Sequence, residues 1–178
     1  MKTSKLLISI ILITILAGCA SSPRVMNMVP VVDNSTFAST NKTLKVSTVY
    51  GGEKSDPWIK GSRIDNDSFM QALIQALTNS NLFTKINPAD QADLILTPEL
   101  LSQDQPAMGL NMTATLVVRY TLKNNTDGAK IWQKYIISKF TATVGDAFVG
   151  TTRLNKANEG VVRENLKSLI EELAKLEL

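Results

Sequence analysis

The sequence predicts an α+β fold, a two-layer sandwich in which a mainly antiparallel sheet of about five strands carries two helices on one face. Three observations predict it. Met112, Ala114, Leu116, Val118, Tyr120 and Leu122 alternate with Thr113, Thr115, Val117, Arg119, Thr121 and Lys123, the period of a strand with one buried face. Val162, Leu166, Leu169, Leu173 and Leu176 recur at spacings of 4, 3, 4 and 3, the stripe of an amphipathic helix. Between the first strand and this last helix the elements run β-α-β-β-β-β-α, with links short enough for hairpins after a single helical crossover.

Residues 1–18 stand apart. Lys2 and Lys5 precede an apolar run from Leu6 to Leu16 that stops at small residues. As a helix, eleven residues reach only about 16 Å, half of a ~30 Å hydrocarbon core. The segment therefore reads as a secretory signal peptide rather than a membrane span.

Its exit is Leu16-Ala17-Gly18-Cys19, and Cys19 is the only cysteine of the chain. This tetrapeptide resembles the lipobox of bacterial lipoproteins. The resemblance implies cleavage before Cys19, diacylglycerol on its thiol and a further acyl chain on its new amino group. Ala20 follows, rather than the Asp that favours retention at the inner membrane, so the resemblance implies export to the outer membrane. The implied partner of this end is the membrane itself, with the domain facing the periplasm.

Residues 19–43 are rich in Ser, Asn, Thr and Pro and read as a lipidated tether, with Val29-Pro30-Val31-Val32 the stretch best suited to dock as an irregular edge. Fully flexible, ~25 residues would reach about 25–30 Å. Residues 44–178 form the single domain. Leu44 to Tyr50 alternates as a half-buried strand ended by Gly51-Gly52. Asp67 is placed as the N-cap of a helix from Ser68 to Ser80, whose inner stripe is Phe69, Leu73, Ala76 and Leu77. Lys85 to Asn87 reads as a short strand and Pro88-Ala89-Asp90 as a turn. Ala92 to Thr97 reads as a buried strand stopped by Pro98, and Ser102 to Gly109 as a polar loop. The long alternating strand then turns at Asn124–Gly128 and returns from Ile131 to Val144. The last helix is expected from Ala157 to Leu178.

Composition narrows the chemistry. The chain has no histidine and one cysteine, which excludes a Ser-His-Asp triad, a Cys-His pair and a Cys/His zinc site. Cleavage before Cys19 leaves 160 of the 178 residues and 17 of the 19 Lys+Arg against an unchanged 16 Asp+Glu. A mature charge this close to zero supplies no basic stripe, so nucleic acid is not expected as a partner. Gly145-x-x-x-x-Gly150-Thr151-Thr152 lacks the lysine of a phosphate loop and reads as a structural loop. No metal and no cofactor is implied.

Together, the lipobox and the element order resemble small outer-membrane lipoproteins of envelope assembly and secretion, at the level of architecture only. The resemblance implies a non-catalytic accessory or scaffold that binds a protein or envelope polymer. The alternative is an envelope-modifying hydrolase or transferase using Asp, Glu, Tyr or Ser, which would need convergent carboxylates in a pocket. The partner-binding residues expected are Trp58, in the Glu53–Gly61 loop, and Phe148, in the Gly145–Arg153 loop. The sequence leaves the oligomeric state open.

Overall fold

A computed structural model describes residues 23–33, 37–52, 63–87 and 91–178. Among these residues the chain forms α1 (Val25–Met28), β1 (Thr43–Val46), α2 (Asn66–Ser80), β2 (Lys85–Ile86), β3 (Leu94–Asp104), β4 (Met112–Asn124), β5 (Lys130–Ala142) and α3 (Gly150–Leu173). The strands make one sheet in the order β2-β1-β3-β4-β5. The long strands β3, β4 and β5 are antiparallel, whereas short β1 is parallel to both β2 and β3. The sheet is therefore mixed, with its antiparallel part carrying most of the length.

Alternation in β4 places Ala114, Leu116, Val118, Tyr120 and Leu122 on one face, all fully buried. That face meets α3, whose Val162, Leu166, Leu169 and Leu173 are buried against it, while α2 buries Phe69, Ala72, Leu73, Ala76 and Leu77 in the same core. The α+β sandwich holds, with α1 as a third, one-turn helix. Met28, at the end of α1, has no exposed surface. Residues 24–32, expected in a tether, are instead packed in part on the domain, because α1 fills the space between α2 and α3. Pro23 is already buried.

Other boundaries differ for identifiable reasons. The N-cap of α2 is Asp65, not Asp67. Its carboxylate accepts from the Ser68 amide and hydroxyl, both at 2.7 Å, and Asp67 falls inside the first turn. The strand expected to end at Tyr50 ends at Val46, and Tyr50 returns only as an isolated bridge to Glu99. Pro98 does not stop β3 either, which runs on to Asp104. Leu96 accepts from Ser47 and Leu100 donates to Tyr50, so every second residue of β3 faces β1 and Pro98 faces it too. The missing N–H of Pro98 thus falls beyond the end of β1 at Val46, between the Ser47 and Tyr50 bonds, where no partner strand needs it.

A bulge at Leu101 then shifts the register of β3 against β4, so that Gln103, paired with Leu116, turns to the helix side. There it bonds Ile64 and Asn158. Finally, α3 starts at Gly150, seven residues before the expected start at Ala157. Its first turns bury Arg153, Asn155, Asn158 and Glu159, and polar inner positions hide the helical period from a hydrophobicity reading. The helix stops at Leu173, and Leu176 packs beyond it on the core's edge.

Candidate functional site

Phe148 sits at one end of the sheet, on the segment between β5 and α3. It is 89% exposed, and Val149 beside it is 58% exposed. The segment between β3 and β4 reaches the same end and contributes Met108 and Leu110, 83% and 77% exposed. Neither was singled out from the sequence, where Met108 lies in an otherwise polar stretch and Leu110 just after it. The expected Gly145–Arg153 loop is shorter than read, because α3 begins at Gly150.

The two segments are tied from beneath. Arg153, buried in the first turn of α3, donates through Nη1 to the carbonyls of Ala147 and Phe148 and through Nη2 to that of Gly109, at 2.7, 3.0 and 2.8 Å. A planar cation with several fixed donors suits this task. Lys156 Nζ donates to the Asp146 carbonyl at 2.7 Å, and the Asp146 carboxylate closes the turn by accepting from the Thr143 amide and hydroxyl. Those bonds from Thr143, the amide's first, hold the Asp146 carboxyl below its ordinary range. Four apolar side chains thus project from short segments braced by a buried guanidinium.

Next to this end lies the point where the N-terminal segment joins the domain. The buried Glu159 carboxylate accepts from the Arg24 amide and from Asn27 Nδ2, both at 2.8 Å, and Arg163 Nη1 donates to the Asn27 carbonyl. Arg163 also lies over the Phe140 ring, 5.4 Å from its centroid. Asn27, Asp146, Lys156, Glu159, Arg163 and Phe140 line one cavity of ≈ 270 Å³, so α1 and the Asp146 turn are close neighbours. No sequence signal pointed to Glu159 or Asn27, which are 132 residues apart.

Carboxylates elsewhere serve local structure. Asp65 caps α2: burial raises its pKa, but the bonds from Ser68 outweigh this and leave it lowered. Asp93 is lowered by the Thr43 hydroxyl and amide, and Glu172 by Lys134 and Lys175. Glu99 pairs with Arg119 on the open face of the sheet, where Arg119 also lies over Tyr135. Each of these acids faces its own partners. Tyr120, whose phenol is pushed well above its ordinary value by burial, is held inside the core by Asn165. Cys19 and Trp58, expected as the lipidated residue and as a docking residue, lie outside the described residues.

No protein-family model matches the chain, and no curated sequence matches it. Solved structures do. Protein XCC0632 from Xanthomonas campestris, described with the family label DUF330, superposes with a TM-score of 0.68 at 12% identity, over 86% of this chain and 93% of that one. A neuraminyllactose-binding hemagglutinin homolog from Helicobacter pylori gives 0.53 at 12% identity, over 82% and 92%. Protein CT253 from Chlamydia trachomatis gives 0.52 at 14% identity, over 77% and 100%. At such identities the likeness is one of fold: this α+β sandwich recurs nearly whole in proteins of three bacteria.

Proposed function

We propose that the chain is a lipid-anchored, non-catalytic protein of the bacterial outer membrane, held through Cys19, whose domain serves as an accessory that binds a protein or envelope polymer on the periplasmic side. The observation that carries the reading is the braced apolar end. Phe148 and its neighbours are exposed on a rigid base beside the segment that leads back to Cys19. Exposed apolar side chains fixed in place are the usual anchors of recognition.

Two further features support it. Leu16-Ala17-Gly18-Cys19 matches what lipidation needs, and the carboxylates discussed above are occupied in caps, turns and ion pairs; Asp146 and Glu159, which line one cavity, are taken up by Thr143 and by Arg24 and Asn27. Docking is assigned to Phe148 and Trp58, and the open sheet face, with Ile137 71% and Tyr135 52% exposed, offers a second surface.

Mass spectrometry of membrane-extracted protein tests the anchor: the N-terminus should be Cys19 carrying diacylglycerol and a further acyl group. Photo-crosslinkers at Trp58, Ile137 and Phe148 in intact cells test the docking. A protein or polymer adduct specific to one or more of these positions is expected. Adducts equal to those from an exposed control position such as Lys167 would refute the accessory reading.

A further inference from the structure

We propose that the end formed by Met108, Leu110, Phe148 and Val149 seats in the same lipid surface that holds the acylated Cys19, so that the domain stands on the bilayer with this end down. The inference rests on the lipid-anchor reading and departs from the docking one at a single point: a bilayer takes the Phe148 end in place of a protein or polymer, which is left to Trp58 and the open sheet face.

Chain length comes first. Pro23 is buried on the domain, and Arg24 is bonded to Glu159. Only four residue steps separate Cys19 from Pro23, about 14 Å when fully extended at ~3.3–3.6 Å per residue. A tether of about 25 flexible residues would let the domain tumble; four residues do not. The bilayer surface must lie close to the Glu159 region of α3.

Position along α3 then selects the end. Glu159 is nine residues from Gly150 and fourteen from Leu173, or about 14 Å and about 21 Å at 1.5 Å per residue. The Phe148 end is the nearer one, and Asn27 of α1 shares its cavity with Asp146 and Lys156 of that end. The flank of α3 is a poor alternative, since its solvent side carries exposed Lys167 and Glu171.

Backbone chemistry completes the argument. Backbone polar groups that reach the acyl boundary of a lipid surface cost least when the protein itself satisfies them. The carbonyls of Gly109, Ala147 and Phe148 already accept from Arg153, and that of Asp146 from Lys156. The large side chains exposed at this end are apolar, Met108, Leu110, Phe148 and Val149, with polar Asn111, Asp146 and Thr151 among them and Met26, 87% exposed, beside the N-terminal attachment. Shallow seating of ~5–10 Å, at the depth of an interfacial segment, is enough to cover them.

Because Cys19 is the only native cysteine and its thiol is consumed by lipidation, a single introduced thiol can be labelled selectively. Full-length lipidated Phe148→Cys, Leu110→Cys and Thr126→Cys variants, each carrying an environment-sensitive fluorophore, are reconstituted into vesicles of phosphatidylethanolamine and phosphatidylglycerol, with or without brominated acyl chains. All three sites are exposed, so the labels leave the core intact. Quenching of about twofold or more is expected at 148 and 110, and none at 126 in the β4–β5 turn, if the former sit at interfacial depth. Floating, acylated protein with no quenching at 148 and 110 overturns the seating while sparing the anchor. Protein that does not float and retains a free Cys19 thiol overturns both. A protein adduct from Phe148 in cells, with no quenching in vesicles, assigns this end to a protein and overturns the proposal.

Discussion

Asn165 is the most exacting test of how the sheet and α3 are joined. It has no exposed surface and makes three hydrogen bonds: Oδ1 accepts from the Tyr120 hydroxyl at 2.7 Å, and Nδ2 donates to Ser138 Oγ at 3.0 Å and to the Ile136 carbonyl at 3.1 Å. Asn165→Ala strands these groups in a dry core, at about 1–3 kcal/mol for each one left unsatisfied. The Ser138 hydroxyl rotates and recovers part of its loss. The net cost should be about 3–4 kcal/mol, a large part of a ~5–15 kcal/mol total. At about 2–4 °C per kcal/mol for a chain of this size, the melting temperature falls by about 10 °C. Tyr120→Phe alone removes one bond and should cost about 1–2 kcal/mol. In the double variant the hydroxyl disappears together with its acceptor. The two costs should then sum to about 1–2 kcal/mol less than additively, as for residues in contact. Urea and thermal unfolding of the four proteins measures this coupling. Additivity within about 0.5 kcal/mol would refute the reasoning, since it would mean that the Tyr120 hydroxyl and Asn165 do not meet.

Other outcomes follow from the same structure. In the unfolded chain the Tyr120 phenol ionises near its ordinary 10.0, while burial holds it neutral well above that in the fold. Stability should therefore be full below pH 10 and fall as pH rises beyond it, and Tyr120→Phe should flatten that alkaline decline in unfolding titrations. Leu169→Ala, at a fully buried position, should cost about 2–5 kcal/mol, whereas Lys167→Ala on the solvent side should leave thermal unfolding nearly unchanged. Asp65→Ala should lose about 1 kcal/mol of cap energy and Asp67→Ala much less. The Asp65 contribution is present above its ordinary 3.8 and is lost as pH falls through its lowered folded value, so the two variants should converge in acid. Gly160→Ala, which helix propensity alone would favour, should instead lower the melting temperature. A Cβ there would overlap the Phe140 ring, and Phe140→Ala should relieve the clash.

The sequence by itself determined the elements whose buried faces are purely apolar. β4 and the later turns of α3 were legible because their buried positions, Asn165 excepted, carry hydrophobic side chains at a regular period, and burial is what period reports. The turn at Gly128 was legible for a similar local reason, since its φ of +71° is a conformation glycine takes without strain. Only the tertiary structure decided the rest. The first turns of α3 were hidden because Arg153, Asn158 and Glu159 occupy inner positions, and such groups enter a core only when distant partners satisfy them. β3 passes Pro98 because β1 has ended before that level, and Gln103 points inward because Leu101 bulges. The length of the tether belongs to the same class: Met28 looks like any residue of a polar leader until α2 and α3 form the slot that buries it. The braced Phe148 end is likewise a product of assembly. Its apolar side chains come from two segments far apart in sequence, and the guanidinium that holds them acts across 44 residues, a relation that no local pattern encodes.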